Sequence, residues 1–319
     1  MTELVMVRQR RGTGDAAPWI VDGGRRVPGQ DHDGRLSALE DGLGRHAAVR
    51  ATAADASDED VDRVLDTLHE PEYLETLRRV RGGEPVLMPA LAAPGLEADI
   101  PVGAGLVAAA HEGVRTAITA AQRVAAGAPF AYALCRPPGH HAGPGWLGGY
   151  CYLNTAAAAV QTLRESGAPG VGILDLDLHY PNGTSAIVAG MADAELHSLH
   201  AWPVTNSPVD PVVPRTDREW LVEFRDAPDA ATYLAAVQAS IAALARSASV
   251  LVLSLGYDTV GGDPHGTWSF APDIFSQIGE LLAASGLPVC IVQEGGYALD
   301  TLAECSHAFA TGLLERSAA

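Results

Sequence analysis

Helix-like and strand-like patterns alternate along the chain from about residue 100 onward. Each predicted helix carries apolar residues on one face, and each is followed by a short apolar run bounded by glycine or proline, which is typical of a buried strand. Gly167 is predicted to end the second helix, and Asp229 to cap the third. The four pairs are a helix over 104–126 with a strand over 130–135, 154–166 with 171–176, 229–246 with 249–256, and a helix opened by Pro272 and Asp273 with 287–293.

This alternation predicts an α/β fold with a central, mainly parallel sheet. Strands separated by helices pair in parallel through crossovers, which place helices on both faces of the sheet. Ligands of such sheets bind beyond the carboxyl ends of the strands. All four predicted strands end in polar motifs, namely RPPGHH, DLH, YD and EGGY. Their convergence at one edge predicts an active site there.

The first hundred residues carry weaker patterns. Residues 33–43 and 59–80 have the periodicity of amphipathic helices that cover the sheet or frame a pocket. His32, His46 and His69 fall in this part and are predicted to be solvated or packed rather than catalytic. We find no internal repeat or linker, so the chain is predicted to be one domain over 1–319, with framing elements in 1–98 and a catalytic core in 99–319.

Composition narrows the functional class. The chain has 319 residues, of which 47% are hydrophobic and 19% charged, which suits a soluble globular enzyme. A net charge of −18 disfavours a nucleic-acid partner and weakly favours cationic small molecules. No apolar run is long enough for a membrane span and the start lacks a signal peptide, so the sequence predicts a cytoplasmic protein without a membrane partner. The four cysteines form no C-x-x-C pair, which predicts reduced structural thiols.

The motif LDLDLH is the clearest candidate for metal binding. Asp175, Asp177 and His179 alternate along an extended segment, which places them on one side of the chain. Two buried carboxylates this close repel each other unless a cation lies between them. Mixed carboxylate and imidazole ligands suit zinc, and Asp258 at the end of another strand is the natural third ligand. A water in the remaining position could then be activated near neutral pH.

Two further motifs offer proton donors and acceptors. His140 and His141 are adjacent on a Pro-Pro-Gly turn, where both can face one cleft, and histidine is the usual general acid or base. Tyr297 follows a Gly-Gly turn that lets the backbone bring a phenol close to a ligand. Such a phenol could stabilise an oxyanion.

The ordered set of motifs RPPGHHAG, GGYCYLN, ILDLDLH with NGT, LHSLH, LGYD followed by DP, and EGGY resembles the histone deacetylase superfamily, nearest its bacterial acetylpolyamine amidohydrolase branch. The resemblance covers residues 99–315 strongly. It implies a three-layer arginase/deacetylase-like α/β fold, one zinc ion and hydrolytic deacylation of an amine.

Carried over by position, the resemblance implies zinc ligation by Asp177, His179 and Asp258. It implies that His141 acts as general base and then acid, with His140 as an electrostatic partner. The remaining catalytic roles that it implies are Asp175 orienting His140, Asn182 orienting His141, and Tyr297 polarising the scissile carbonyl.

The resemblance also implies a structural potassium ion and a substrate tunnel. The potassium ligands would be Asp175, Ser198 and the backbone oxygens of Asp177, His179 and Leu199. Gly149 and Tyr150 correspond to one wall of the tunnel, and Asp99 to an acid at its rim.

The chain departs from the family pattern in three places. The usual His-His-Gly-Asn-Gly is here His179-Tyr180-Pro181-Asn182-Gly183, which changes the loop after a zinc ligand. Residues 200–214 contain four prolines and predict a rigid rim wall carrying Trp202 as a substrate contact. No counterpart of the family's acidic polyamine lid is recognisable in the early segment, so polyamine specificity does not transfer.

These observations predict zinc-dependent deacetylation of a small N-acetylated amine, either polyamine-like or a natural-product intermediate. An acetyl-lysine protein deacetylase, an arginase-like binuclear manganese hydrolase and a non-catalytic ligand-binding homologue remain open as alternatives. Iron(II) in place of zinc and a homodimer are also left open.

Overall fold

The protein is built around one parallel sheet of eight strands, here seen in a computed structural model that describes residues 2–12, 17–202 and 217–315. The strands are Leu4–Arg8 (β1), Trp19–Asp22 (β2), Arg25–Pro28 (β3), Val49–Ala53 (β4), Phe130–Leu134 (β5), Val171–Asp175 (β6), Ala194–Ala201 (β7), Glu219–Phe224 (β8), Val250–Leu255 (β9) and Val289–Gln293 (β10). The sheet order is β4-β1-β5-β10-β9-β6-β7-β8, while β2 and β3 form a separate antiparallel hairpin. The predicted parallel α/β architecture is confirmed.

The four predicted helix–strand pairs are present with bounds within two residues of the expected ones. The helices are Asp33–Gly44 (α1), Asp58–Leu68 (α2), Pro71–Arg78 (α3), Ala104–Ala125 (α4), Thr155–Glu165 (α5), Asn182–Val188 (α6), Ala230–Leu244 (α7), Asp273–Ser285 (α8) and Leu299–Glu315 (α9). The Asp229 side chain accepts from the Thr232 amide and caps α7 as predicted. Gly167, with φ +89°, follows the end of α5, also as predicted.

Helices cover both faces of the sheet because its central strands are apolar on both sides. In β5, Ala131 and Ala133 face one core, which α2 to α5 complete. Phe130, Tyr132 and Leu134 face the other core, which α1, α7, α8 and α9 complete. Burial on both faces explains why these strands are continuous apolar runs rather than alternating ones.

The first hundred residues contribute more than framing helices. Strand β1 lies between β4 and β5, so this part of the chain completes the sheet itself. The amphipathic pattern over 59–80 forms two helices, because Pro71 begins α3 and lacks the amide that would continue α2. The β2–β3 hairpin was not predicted. Its turn residues Gly23 and Gly24 both have positive φ, as a two-residue hairpin turn requires.

The three early histidines are structural, as predicted. His32 caps α1 by accepting from the Gly34 amide. His46 Nδ1 accepts from the Ala48 amide, and His69 is buried, where its ring bonds the Gly143 carbonyl and the Asn154 amide. The four cysteines are all buried and free. Within the described ranges, every helix is too short or too polar to cross a bilayer.

Candidate active site

The four predicted strands are neighbours at the centre of the sheet, in the order β5-β10-β9-β6. Their polar carboxyl-terminal extensions therefore meet at one edge, where they line a cavity of about 370 Å³. This volume lies within the usual range for small-molecule sites. The predicted site residues among its lining are Asp99, His140, His141, Gly149, Tyr150, Asp177, His179, Asp258 and Tyr297.

Asp177, His179 and Asp258 converge at the base of the site. Each offers one ligand atom, and the three atoms lie within 4.8 Å of one another. His179 Nδ1 is 3.1 Å from Asp177 Oδ1 and 3.0 Å from Asp258 Oδ2. Both carboxylates are buried, while the His179 side chain keeps 17% of its surface exposed. One imidazole nitrogen, two carboxylate oxygens and one accessible side fit a catalytic zinc ion.

The electrostatics of this trio also favour a cation. Burial and the negative charge of Asp177 raise the pKa of Asp258 to about 7. Burial alone would lower the pKa of His179, but its contacts with the two carboxylates raise it to about 10. In the protein alone the carboxylates therefore hold a proton on the imidazole between them. A metal ion would replace that proton, which is the usual coupling between metal binding and deprotonation.

Each histidine after β5 has its own polar partner. His140 Nδ1 lies 3.3 Å from Asp175 Oδ2, and His141 Nδ1 lies 2.7 Å from Asn182 Oδ1. An amide oxygen can only accept, so Nδ1 of His141 carries a proton and Nε2 is left as the basic nitrogen. The structure thus brings together both of the histidine–partner pairs that the resemblance implied.

The two histidines have opposite pKa shifts. Burial, followed by the charges of His140 and His179, lowers the pKa of His141 well below its usual value. Burial would lower the pKa of His140 as well, but the carboxylates of Asp177 and Asp175 raise it to about 10. His141 is therefore neutral at pH 7 and able to accept a proton, whereas His140 provides a positive charge beside it.

The altered loop after His179 keeps Asn182 in place. Pro181 has φ −79° and ψ 62°, and the Asn182 amide donates to the Tyr180 carbonyl at 2.9 Å. These are the features of an inverse γ-turn, which proline accommodates because its φ is already restricted to this region. The Tyr180 hydroxyl forms hydrogen bonds with the Ser185 hydroxyl and the Glu219 carboxylate, so the larger side chain is anchored away from the cavity.

Tyr297 is positioned by groups that the sequence did not suggest. The Arg35 guanidinium lies 4.4 Å from the centre of the Tyr297 ring. Arg35 Nε also donates to the Gly296 carbonyl at 2.6 Å, and its charge is paired with Asp31 at 2.7 Å. Gly296 has φ +111°, a conformation that side-chain-bearing residues rarely adopt, which explains the glycine before Tyr297. Burial raises the pKa of Tyr297, so its phenol stays protonated and can donate.

Asp263 connects the two loops that carry Asp258 and Tyr297. Its carboxylate accepts from the backbone amides of Tyr297 at 2.6 Å, Ala298 at 3.1 Å and His265 at 2.9 Å. A carboxylate accepts at both oxygens, whereas a side-chain amide would turn a donor towards one of these N–H groups.

We therefore expect Asp263→Asn to lower kcat about tenfold and the free energy of unfolding by about 1–3 kcal/mol, because at least one buried amide loses its acceptor. Steady-state kinetics and chemical denaturation check this, with the exposed Asp226→Asn as the matched control. An Asp263→Asn protein with unchanged kcat and stability would contradict the role of Asp263 in connecting the two loops.

The cavity wall includes Tyr150 and His265. The Tyr150 hydroxyl accepts from the Gln30 amide at 3.0 Å and lies 3.3 Å from His265 Nε2. Both rings also contact Tyr297, at centroid distances of 5.3 and 4.9 Å. His265 was not predicted as a site residue, since a lone histidine after Asp-Pro carries no distinctive signal.

Other predicted site residues lie outside this cavity. Trp202 is half-buried beyond β7, and its backbone amide bonds Phe224; it is not among the cavity-lining residues. Residues 203–214 of the predicted proline-rich wall lie outside the described residues. Asp175 and Ser198 are register partners on β6 and β7, both buried, with Leu199 next to them.

The cavity wall beyond the trio and His140 is acidic. Asp22 from the β2–β3 hairpin and Asp99 line it, and no arginine does so within the described part of the chain. Burial raises the pKa of Asp99, whose carboxylate accepts from the Gly149 amide at 2.9 Å. This lining suits a cationic ligand better than an anionic one.

Known proteins match this chain closely. The histone deacetylase domain family matches residues 30–313. The chain is similar to an acetylpolyamine amidohydrolase of Burkholderia pseudomallei, 37% identical over 222 residues that cover 66% of this chain and 64% of that protein. It is also similar to acetylpolyamine amidohydrolase 1 of Pseudomonas aeruginosa, 34% identical over 247 residues that cover 70% and 68% of the two chains. The matched region is thus about two thirds of the length of these relatives.

A solved structure is similar to this chain over more of its length than these sequence matches. The crystal structure of an acetylpolyamine aminohydrolase from Burkholderia pseudomallei aligns with a TM-score of 0.84 and 26% identity, covering 98% of each chain. The deacetylase-like fold that the resemblance implied is confirmed.

Proposed function

Because this chain belongs to the histone deacetylase family, we propose that it is a zinc-dependent amidohydrolase that removes the acetyl group from a small N-acetylated amine. The observation that carries the proposal is that the Asp177, His179 and Asp258 trio shares one cavity with His141 and Tyr297. Relatives named acetylpolyamine amidohydrolases support the amine class of substrate.

The trio would hold the zinc ion. Bound there, zinc supplies a Lewis acid that polarises an acyl oxygen and lowers the pKa of water. His141 accepts the proton of the attacking water at Nε2, because Nδ1 is committed to Asn182. The same nitrogen then donates that proton to the leaving amine. The Tyr297 hydroxyl donates to the oxygen on which negative charge develops.

Charge and shape support a small cationic substrate. Asp22 and Asp99 line the cavity, which favours an amine whose other end carries a positive charge. The β2–β3 hairpin contributes Ile20, Val21 and Asp22 to the wall, so a substrate in the cavity would contact this hairpin. A small acetylated amine fits a cavity of about 370 Å³ better than a folded protein bearing acetyl-lysine.

We infer a single metal ion rather than the binuclear manganese centre of arginase-like hydrolases. Within the described ranges, the Asp-His-Asp trio is one of two groups able to hold a metal. The other, His140 with Cys151 and Glu294, includes a thiol, which suits a hard manganese ion poorly. Glu294 Oε2 already accepts from the Gly139 and His140 amides.

We also keep the structural potassium ion as a proposal. Asp175 and Ser198 place a carboxylate and a hydroxyl on adjacent buried strands, which are oxygen donors suited to an alkali cation. We further propose that the protein acts in the cytoplasm.

Tyr297→Phe tests the proposed chemistry. The variant keeps the ring that packs on Arg35 but loses the hydroxyl donor, so we expect kcat to fall about 10²–10³-fold, the usual cost of one oxyanion donor, with zinc content unchanged. Acetate release from a panel of acetylated diamines, amino sugars and acetyl-lysine peptides is the measurement.

The matched control is Tyr73→Phe, whose hydroxyl donates to the Tyr152 carbonyl outside the cavity. It should lose stability by about 1 kcal/mol but keep kcat. Full activity of Tyr297→Phe, or no acetate from any panel member with one zinc per chain, would overturn the proposed function.

A further inference from the structure

A second cavity of about 300 Å³ lies beside the first. Four residues line both cavities, namely Val21, Asp99, His141 and Gly149. The second cavity also reaches Asn182, the partner of His141. Both cavities therefore approach the histidine that we assign to proton transfer, one from each side of a shared wall.

The shared wall is held by hydrogen bonds from three segments. The Val21 amide donates to the Asp99 carbonyl at 2.7 Å, and the Asp99 carboxylate accepts from the Gly149 amide at 2.9 Å. Strand β2 of the hairpin, the segment before α4 and the loop after β5 are thereby connected at one point. The wall between the two cavities is therefore held by one backbone hydrogen bond and by the Asp99 side chain.

About half of the lining of the second cavity is apolar. Val21, Ala93, Leu96, Ala98 and Leu147 contribute this part. Among the described residues, its two charged lining groups, Glu97 and Asp99, are both acidic. The apolar part favours a hydrocarbon group, and the two acidic groups disfavour a carboxylate or a phosphate.

We propose that the second cavity is a subsite for a second, apolar arm of the substrate. The substrate class is then a branched N-acetylated amine that straddles the Val21–Asp99–Gly149 wall, with its cationic arm in the first cavity and an alkyl arm in the second. This inference rests on the proposed function, and it adds the shape of the amine, which neither the ligand trio nor the family relationship specifies.

Gly148 provides a direct way to fill the subsite. It lines the second cavity but not the first. A Cβ at this position would meet only Asp99 Oδ1, at an ordinary 3.6 Å, so the backbone has room for the Cβ of Gly148→Val, which adds side-chain volume at the lining of the second cavity. Gly82→Val is the matched control, since a Cβ there meets nothing within 4 Å and Gly82 lines neither cavity.

The experiment compares mono-N-acetylated diaminohexane with its analogue carrying a propyl branch on the carbon next to the acetylated nitrogen. The quantity compared is the ratio of kcat/KM for the branched substrate to kcat/KM for the unbranched one. We expect this ratio to be at least about ten in wild type and in Gly82→Val, the usual effect of filling an apolar pocket. In Gly148→Val we expect a ratio of about one. The Kd values of the two free product amines, measured by calorimetry, should follow the same ratios.

A wild-type ratio near one, or a preference that survives in Gly148→Val, would overturn the subsite. Failure of the proposed function looks different, since neither substrate would then release acetate. In that case the amine Kd values still decide the matter: tighter binding of the branched amine that Gly148→Val removes would support the subsite, and equal binding would overturn it.

Discussion

His179→Ala is expected to lose the proposed zinc ion and to lower kcat/KM by about 10⁴-fold. The imidazole is the one nitrogen ligand of the trio, and its Nδ1 lies about equally close to both carboxylates, so its removal leaves two buried acids facing each other. Metal catalysis contributes several kcal/mol of transition-state stabilisation, and about 1.4 kcal/mol corresponds to each factor of ten. Metal analysis of the purified protein and acetate release measure the two effects together.

His46→Ala is the matched control for this substitution. His46 lies just before β4, at the opposite edge of the sheet from the site. The His46→Ala protein should therefore retain one zinc ion and full activity. Because His179→Ala could also fail to fold, Asp258→Asn serves as a second variant. It keeps the side-chain volume but removes one negative charge from the ligands of the metal. A His179→Ala protein that holds one zinc ion per chain and deacetylates normally would refute the proposed metal site.

The central part of the fold could be predicted because its signals are local. Strands β5, β6, β9 and β10 are short apolar runs that directly follow helices, and all four are adjacent in the sheet. A residue pattern of this kind needs no knowledge of distant contacts. The convergence of polar strand ends followed from the parallel arrangement alone, and His140, Asp177, Asp258 and Tyr297 line one cavity.

Elements that depend on distant partners were missed. Strand β1 carries only five residues near a charged amino-terminal segment, and it becomes a strand because β4 and β5 pair with both of its edges. The β2–β3 hairpin did have a local signal, since Gly23 and Gly24 directly follow the alternating residues Trp19–Asp22. Its importance for the cavity, however, comes from the Val21–Asp99 hydrogen bond, which joins residues far apart in sequence.

The supporting residues of the site could not be recognised for the same reason. Arg35 contacts the turn before Tyr297 across 261 residues of sequence, and nothing in its own segment distinguishes it from a surface arginine of α1. Asp263 looks like an ordinary turn former before proline, yet it accepts three backbone N–H groups from two loops. Catalytic residues carry motifs, whereas the residues that position them are defined by tertiary contacts.

The Tyr180-Pro181 departure illustrates how a changed loop can keep a side chain in place. The sequence alone indicated a change in bulk and stiffness after a zinc ligand. In the structure the stiff proline-centred turn fixes the position of Asn182, whose Oδ1 lies 2.7 Å from His141 Nδ1. The bulk is accommodated by the hydrogen bonds of Tyr180 to Ser185 and Glu219.

The pH dependence of the reaction follows from this geometry. The proposed mechanism requires His141 to be neutral, so we expect kcat/KM to fall as the pH drops through the pKa of His141. Burial and the charges of His140 and His179 lower that pKa well below its usual value of 6.5. The acidic limb of the profile is therefore expected below pH 6.5, and a protein with an unperturbed histidine base would show it at about pH 6.5.

His141→Ala is expected to lower kcat about 10³-fold while leaving zinc bound, because the trio remains intact and only the proton acceptor is lost. The acidic limb assigned to His141 should disappear in this variant. Asn182→Ala should give a smaller loss, since it removes the hydrogen bond at Nδ1 but not the base itself. Zinc content, kcat and pH profiles of both variants are the measurements, with His46→Ala again as control. If His141→Ala kept the acidic limb and most of its activity, another group would be the base, and the nearest imidazole is that of His140, whose ring centre is 4.1 Å away.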